Sequence, residues 1–164
     1  MAWVGSTVSA QVVSLLGAPA GLGACVATLA QAENLSVPQI AQTQIVAQNA
    51  AIELTERSSD VTYPMIAVYC DKIVNQLTEK FRTFSGKAVM TIEVRVTQDR
   101  LEGIESQLQV YADAATQVLD QSRGDWGEGM YYAGGYEASF LPVKHGGRNF
   151  IQVAKVTFDV SVSN

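Results

Sequence analysis

Two stretches of the chain alternate apolar and polar residues with a period of two. In "KAVMTIEVRVT" (87–97), Ala88, Met90, Ile92, Val94 and Val96 share one side, and Val89, Thr91, Glu93, Arg95 and Thr97 share the other. Near the end, Ala154, Val156, Phe158, Val160 and Val162 alternate with Lys155, Thr157, Asp159, Ser161 and Ser163. A side-chain period of two is the signature of a β-strand with one face inward. A third stretch, "PMIAVYC" (64–70), is almost continuously apolar, as a central strand covered on both faces must be. Pro64 fits only at its beginning, because proline donates no ladder hydrogen bond. Between the alternating strands the period changes. Leu101, Ile104, Leu108, Tyr111, Ala115 and Val118 recur at spacings of three and four, which predicts one long helix through Asp120 with a single apolar stripe. Asp99 lies near its start, where the helix dipole favours negative charge. Fewer than three heptads of this spacing predict a packed helix rather than a coiled coil.

The N-terminal third reads as helices. Val8, Val12, Leu15 and Leu16 mark one face of a first helix ended by Gly17 and Pro19. A second helix is expected over 20–34, with Leu22, Cys25, Val26 and Leu29 inward, and Pro38 marks a bend. "AAIELTER" (50–57) is expected as a strand with Ala50, Ile52 and Leu54 on one side, and "SSDVTYP" (58–64) as a turn. "DKIVNQLTEKF" (71–81) fits a short helix or an irregular excursion. After Gly124 the texture becomes glycine-rich and aromatic, as strands joined by turns would be. The predicted architecture is a single α+β domain over 1–164. A helical N-terminal extension (1–45) precedes a core (50–164) built on a mostly antiparallel sheet of four to five strands with the long helix packed on one face.

Composition narrows the function more than the fold. With 164 residues the chain suits one domain with a substantial core. Only 16% of residues are charged, against about 25% in an average domain, which fits either a surface covered by partner subunits or a compact monomer. Net charge is −5 and no lysine or arginine precedes Arg57, so the basic patch of a protein that grips nucleic acid is missing. An acidic wall beside DNA that slides past is compatible with this. Residues 1–32 carry no charge. They lack the basic start of a signal peptide, and polar residues and "GAPAGLG" interrupt the roughly 20 apolar residues of a membrane span. No membrane association is expected.

Candidate chemistry is sparse. Cys25 and Cys70 sit in separate apolar runs, as buried thiols in a reducing compartment or a single disulfide would. With one histidine they do not supply a zinc site. A thiol-hydrolase set of Cys70, His145 and Asp71 requires nucleophile and base within hydrogen-bond reach, and nothing in the spacing brings them together. Neither glycine-rich loop is a phosphate-binding motif: "GEGMYYAGG" fails G-x-G-x-x-G and no G-K-S/T follows. Gly134–Gly135 and Gly146–Gly147 are expected to supply turns. "VKHGGRNFIQVAK" (143–155) then reads as a bend before the last strand, with Lys144, His145 and Arg148 projecting from a loop at the sheet edge, open to a partner. Glu93 and Arg95 make the polar face of their strand either a solvated face or one that meets a neighbouring subunit. Trp126, Tyr131, Tyr132 and Tyr136 are either core and cross-strand pairs or interface anchors. No catalytic, cofactor-binding or metal-binding residue is expected.

The order of these pieces resembles the tail-terminator proteins of tailed bacteriophages. The likeness lies in "TYPMIAVY" (62–69), "KAVMTIEVRVTQ" (87–98), the helix through Asp120 and "FIQVAKVTFDVSVS" (150–163), over roughly residues 50–164. It implies a structural virion protein that forms a homo-oligomeric ring, commonly a hexamer. Such a ring ends the tail tube and joins it to the head connector, with DNA passing through unread, and it is assembled in the host cytoplasm. The first 45 residues depart from the simplest members, which leaves open another neck or head-completion connector ring. A monomeric adaptor is a further alternative, and a small thiol hydrolase a remote one. Subunit or partner contacts are expected at Glu93, Arg95, Trp126, Tyr131, Tyr132, Lys144, His145 and Arg148.

Overall fold

The computed structural model describes residues 3–57 and 61–164. Two helices open the chain, α1 (Val4–Gly17) and α2 (Leu22–Ala32), followed by a 3₁₀ turn (Gln42–Gln44) and a short strand, β1 (Ile45–Ala47). A one-turn helix, α3 (Ile52–Glu56), precedes the long strands β2 (Met65–Asn75) and β3 (Ser85–Gln98) and the long helix α4 (Ile104–Gln121). Four short strands then lead to the last strand: β4 (Gly124–Gly127), β5 (Met130–Tyr132), β6 (Glu137–Phe140), β7 (Lys144–Gly146) and finally β8 (Asn149–Ser163).

The fold is α+β, as expected, but the sheet is mixed and, among the described residues, has eight strands rather than four or five. Its order is β1-β2-β3-β8-β5-β4, with β6 and β7 also paired to β8. β1 runs parallel to β2, and the remaining pairs are antiparallel. β8 is the spine. One edge pairs with β3 along its whole length, Ser85↔Ser163 to Gln98↔Phe150. The other edge is met in succession by β7, β6 and β5. The extra strands have three or four residues each, too short to establish an alternation.

The inward residues of β3 and β8 are those the alternation selects. Ala88, Met90, Ile92, Val94 and Val96, with Ala154, Val156, Phe158, Val160 and Val162, are all buried in one cluster. That cluster also contains Val8, Val12 and Leu16 of α1, Leu22, Cys25 and Val26 of α2, and Leu108, Tyr111, Ala115 and Val118 of α4. The N-terminal helices therefore share the core instead of extending from it. Each buried Val, Leu or Ile contributes about 1.5–3 kcal/mol relative to an exposed one. α4 touches α2, β3 and β8, and the Tyr111 hydroxyl donates to the Pro38 carbonyl at 2.6 Å, fastening α4 to the chain beyond α2.

Several expectations are corrected. Residues 52–56 form α3, not a strand: the Thr55 hydroxyl donates back to the Ile52 carbonyl at 2.8 Å, and Leu54 lies exposed. "DKIVN" continues β2 to Asn75, past a bulge between Cys70 and Lys72. Leu101 is exposed and lies before the helix, because Gly103 takes a left-handed conformation (φ 84°) and α4 begins only at Ile104. Lys144 and His145 belong to β7 rather than a loop, and the bend before β8 is the pair Gly147–Arg148, with φ 66° at Gly147. Of the turn expected over 58–64, residues 58–60 lie outside the described residues.

At the β4–β5 turn, Gly129 has φ 75°, and a Cβ there would lie 2.1 Å from the Ser163 carbonyl oxygen. Gly135 has φ 88° with nothing near a Cβ. Gly129→Ala should therefore lower stability by more than the ~1–3 kcal/mol of a left-handed alanine alone, and Gly135→Ala by no more than that. Urea midpoints of the two variants check the difference.

Candidate functional site

The outward side of β3 was expected as a solvated or neighbour-facing surface, yet Glu93 is 5% exposed and Arg95 only 2%. Register explains this. Glu93 stands opposite Ala67 on β2 and Lys155 on β8, and Arg95 opposite Met65 and Val153. The segment around α3 then covers the pair from outside. Arg95 Nε donates to Glu93 Oε1 at 2.7 Å, Nη1 to Thr55 Oγ1 at 2.9 Å, and Nη2 to the Ala50 carbonyl at 2.5 Å. The second Glu93 oxygen accepts the Tyr69 hydroxyl at 2.7 Å, with Lys155 Nζ at 3.7 Å. Every nitrogen of the guanidinium and both carboxylate oxygens thus have partners within the same chain.

Beside this cluster lies a cavity of about 340 Å³, bordered by Ile52, Glu53, Pro142, Lys144, Tyr69 and Lys155. Tyr69 is held above its ordinary phenol pKa, first by burial and then by its bond to the Glu93 carboxylate, so it remains a hydrogen-bond donor at neutral pH. Further along the same face, Thr91 donates to Asp71 and lies 3.3 Å from the Thr157 hydroxyl, and Lys87 pairs with Asp159 at 2.5 Å. These contacts fasten strand to strand.

The remaining expected contact residues separate. Tyr132 is fully buried, edge-on to Phe158 with ring centroids 5.5 Å apart, and therefore offers no surface to a partner. Trp126 packs on Tyr132 at 5.4 Å and donates its indole N–H to the Ser122 carbonyl at 2.6 Å. Tyr131 and Tyr136 are exposed. Lys144, His145 and Arg148 are exposed along the β7–β8 hairpin, with His145 edge-on to Phe150. Of the expected contact residues, Glu93, Arg95 and Lys144 line the cavity beside the ion pair.

The thiol-hydrolase set does not assemble. Cys70 is on β2 and His145 on β7, three strand spacings apart and about eight residues along the ladder, which places them roughly 30 Å apart in a flat sheet. Burial and the neighbouring Asp71 charge raise the Cys70 pKa, which opposes thiolate formation. Both cysteines are free, Cys25 buried and Cys70 half-buried. Among the described residues no three His, Cys, Asp or Glu side chains gather as metal ligands, and no single helix is long and apolar enough to cross a membrane. Sequence reasoning missed Tyr69 and Thr55 as the partners of the ion pair. Tyr69 was recoverable from strand parity, whereas Thr55 was hidden by the reading of α3 as a strand. No family model and no curated protein matches the chain.

Removing one member of a buried ion pair strands the other, at a cost of about 3–5 kcal/mol, whereas replacing both with apolar residues often costs little. Arg95→Met alone should cost that much, and Glu93→Leu with Arg95→Met substantially less. Urea unfolding of the two variants tests the buried pair, and equal losses would contradict it.

Proposed function

We propose that this chain is a structural ring subunit of the neck or tail end of a tailed bacteriophage, akin to tail terminators. In this reading copies of the chain close into a hexameric ring that ends the tail tube and meets the head connector. DNA crosses the lumen without being read. Assembly takes place in the host cytoplasm, and the ring becomes part of the virion.

The observation that carries the reading is the adjacency of β2, β3 and β8 in one sheet, with α4 between β3 and β8 in sequence. These are the elements through which the sequence resembles tail terminators, in the same order. In the ring, α4 lies as a layer on one face of this sheet. Two further features favour a scaffold. The most buried charged groups are satisfied within the chain, as a rigid building block requires. Large apolar side chains are also exposed near both ends of the long strands: Leu77 and Phe81 at one, Leu35 and Leu101 at the other. Surfaces of this kind mark interfaces between proteins. The net charge of −5 agrees with a lumen that does not hold DNA.

Multi-angle light scattering on the purified chain tests the reading. A mass near six protomers is expected. A single-protomer mass at every concentration from micromolar to millimolar would overturn it.

A further inference from the structure

β3 and β8 together form a ladder roughly 45 Å long. Beyond its Ser85/Ser163 end the chain from Gln76 to Phe84 leaves the sheet and returns. Two residues of this loop, Leu77 and Phe81, have positive φ, 47° and 68°. A bulky residue in that region is a backbone outlier. Leu77 is nonetheless 63% exposed and Phe81 wholly so. Neither conformation is rewarded by burial of the side chain within this chain.

Nor is the loop loosely held. The Asn75 side-chain oxygen accepts from the backbone N–H of both Leu77 and Ser85, each at 3.2 Å. Ser85 Oγ accepts the Glu79 N–H at 2.8 Å and lies 2.8 Å from the Thr78 hydroxyl. Ser163 donates to Glu79 at 2.7 Å, and Thr83 and Phe84 both donate to the Asn164 carbonyl. Phe84 itself is fully buried. The loop is a braced knob that presents two apolar side chains outward.

At the opposite end of the same ladder lies a cleft of about 670 Å³. One wall is the chain after α2, Leu35 to Pro38, and the other is the β3–α4 turn around Gln98, Asp99 and Gly103. Leu35 is partly exposed at this cleft, and Leu101 projects from the same turn. Charge is complementary. The knob, 76–84, carries Lys80 and Arg82 against Glu79, one positive charge in excess. The turn, 99–105, carries Asp99, Glu102 and Glu105 against Arg100, two negative charges in excess.

We propose that the Gln76–Phe84 knob of one protomer seats Leu77 and Phe81 in the cleft between Leu35–Pro38 and the β3–α4 turn of the next copy. The two features lie at opposite ends of one molecule, so the contact is head-to-tail, the kind that generates a ring when its rotation closes. Lys80 and Arg82 then meet Asp99 and Glu102, which selects this orientation over knob against knob. This contact rests on the ring reading and names the surfaces that would build it.

Three variants test it by light scattering, with circular dichroism verifying that each is folded. Leu77→Ser with Phe81→Ser should convert the assembly to single protomers. Leu54→Ser, an exposed apolar residue on α3, should leave it intact. Lys80→Glu with Arg82→Glu should dissociate it, and adding Asp99→Lys with Glu102→Lys to the same chain should restore it. An assembled parent chain whose mass is unmoved by the knob variants would overturn the knob-and-cleft contact and leave the ring reading standing. A parent chain that is a single protomer throughout would overturn both. Restoration failing in a folded four-residue variant, after dissociation by the first two changes, would place another surface opposite the knob.

Discussion

The fourteen-pair register between β3 and β8 is the constraint on which the remainder of the structure depends. Both strands alternate, and a slip of one residue would turn the inward set of one strand onto the opposite face. Ala88 to Val96 on β3 would then lose the company of Ala154 to Val162 on β8, and α1, α2 and α4 would lose the surface they share with them. The outer face reinforces the same register with polar matches. Thr91 lies beside Thr157, Lys155 reaches Glu93, and Lys87 reaches Asp159. Apolar parity on one side and charge matching on the other select a single alignment.

The buried Arg95–Glu93 pair adds specificity where the register alone is silent. Desolvating both charges is expensive, and the pair persists because Thr55, Ala50 and Tyr69 complete its hydrogen bonds. Those partners come from β2 and from the segment before it. The pair thus fixes where the chain around α3 must lie over the sheet. It also withdraws Arg95 from the surface: a charge that looked available to a neighbouring subunit is engaged inside the protomer. In the proposed ring, contacts between copies fall to groups the monomer leaves exposed, among them those at the ends of the long strands.

The long elements were legible in the sequence because their periodicities run over many residues. β3, β8 and α4 follow their alternation or helical spacing, and α1 and α2 are bounded by the glycines and prolines that interrupt them. The short elements were not. β1 and β4 to β7 have three or four residues each, less than the length at which a period of two can be distinguished from chance. Residues 50–57 misled because Ala50, Ile52 and Leu54 mimic alternation, while Leu54 faces solvent. The burial of Glu93 and Arg95 was invisible because it comes from a segment some forty residues earlier folding over the sheet. Parity correctly placed them on the face opposite the main core. Likewise the aromatic cluster divides, Tyr132 inward and Tyr131 outward, by the ordinary alternation of a three-residue strand.

In the proposed ring, a braced knob at one end of the long strands and a cleft at the other are the surfaces through which copies of the chain meet. Negative-stain electron micrographs of the purified chain test this most directly. Closed annuli with six-fold averages are the expected outcome. Fields of isolated single-protomer particles, or unbounded filaments in place of closed rings, would contradict it.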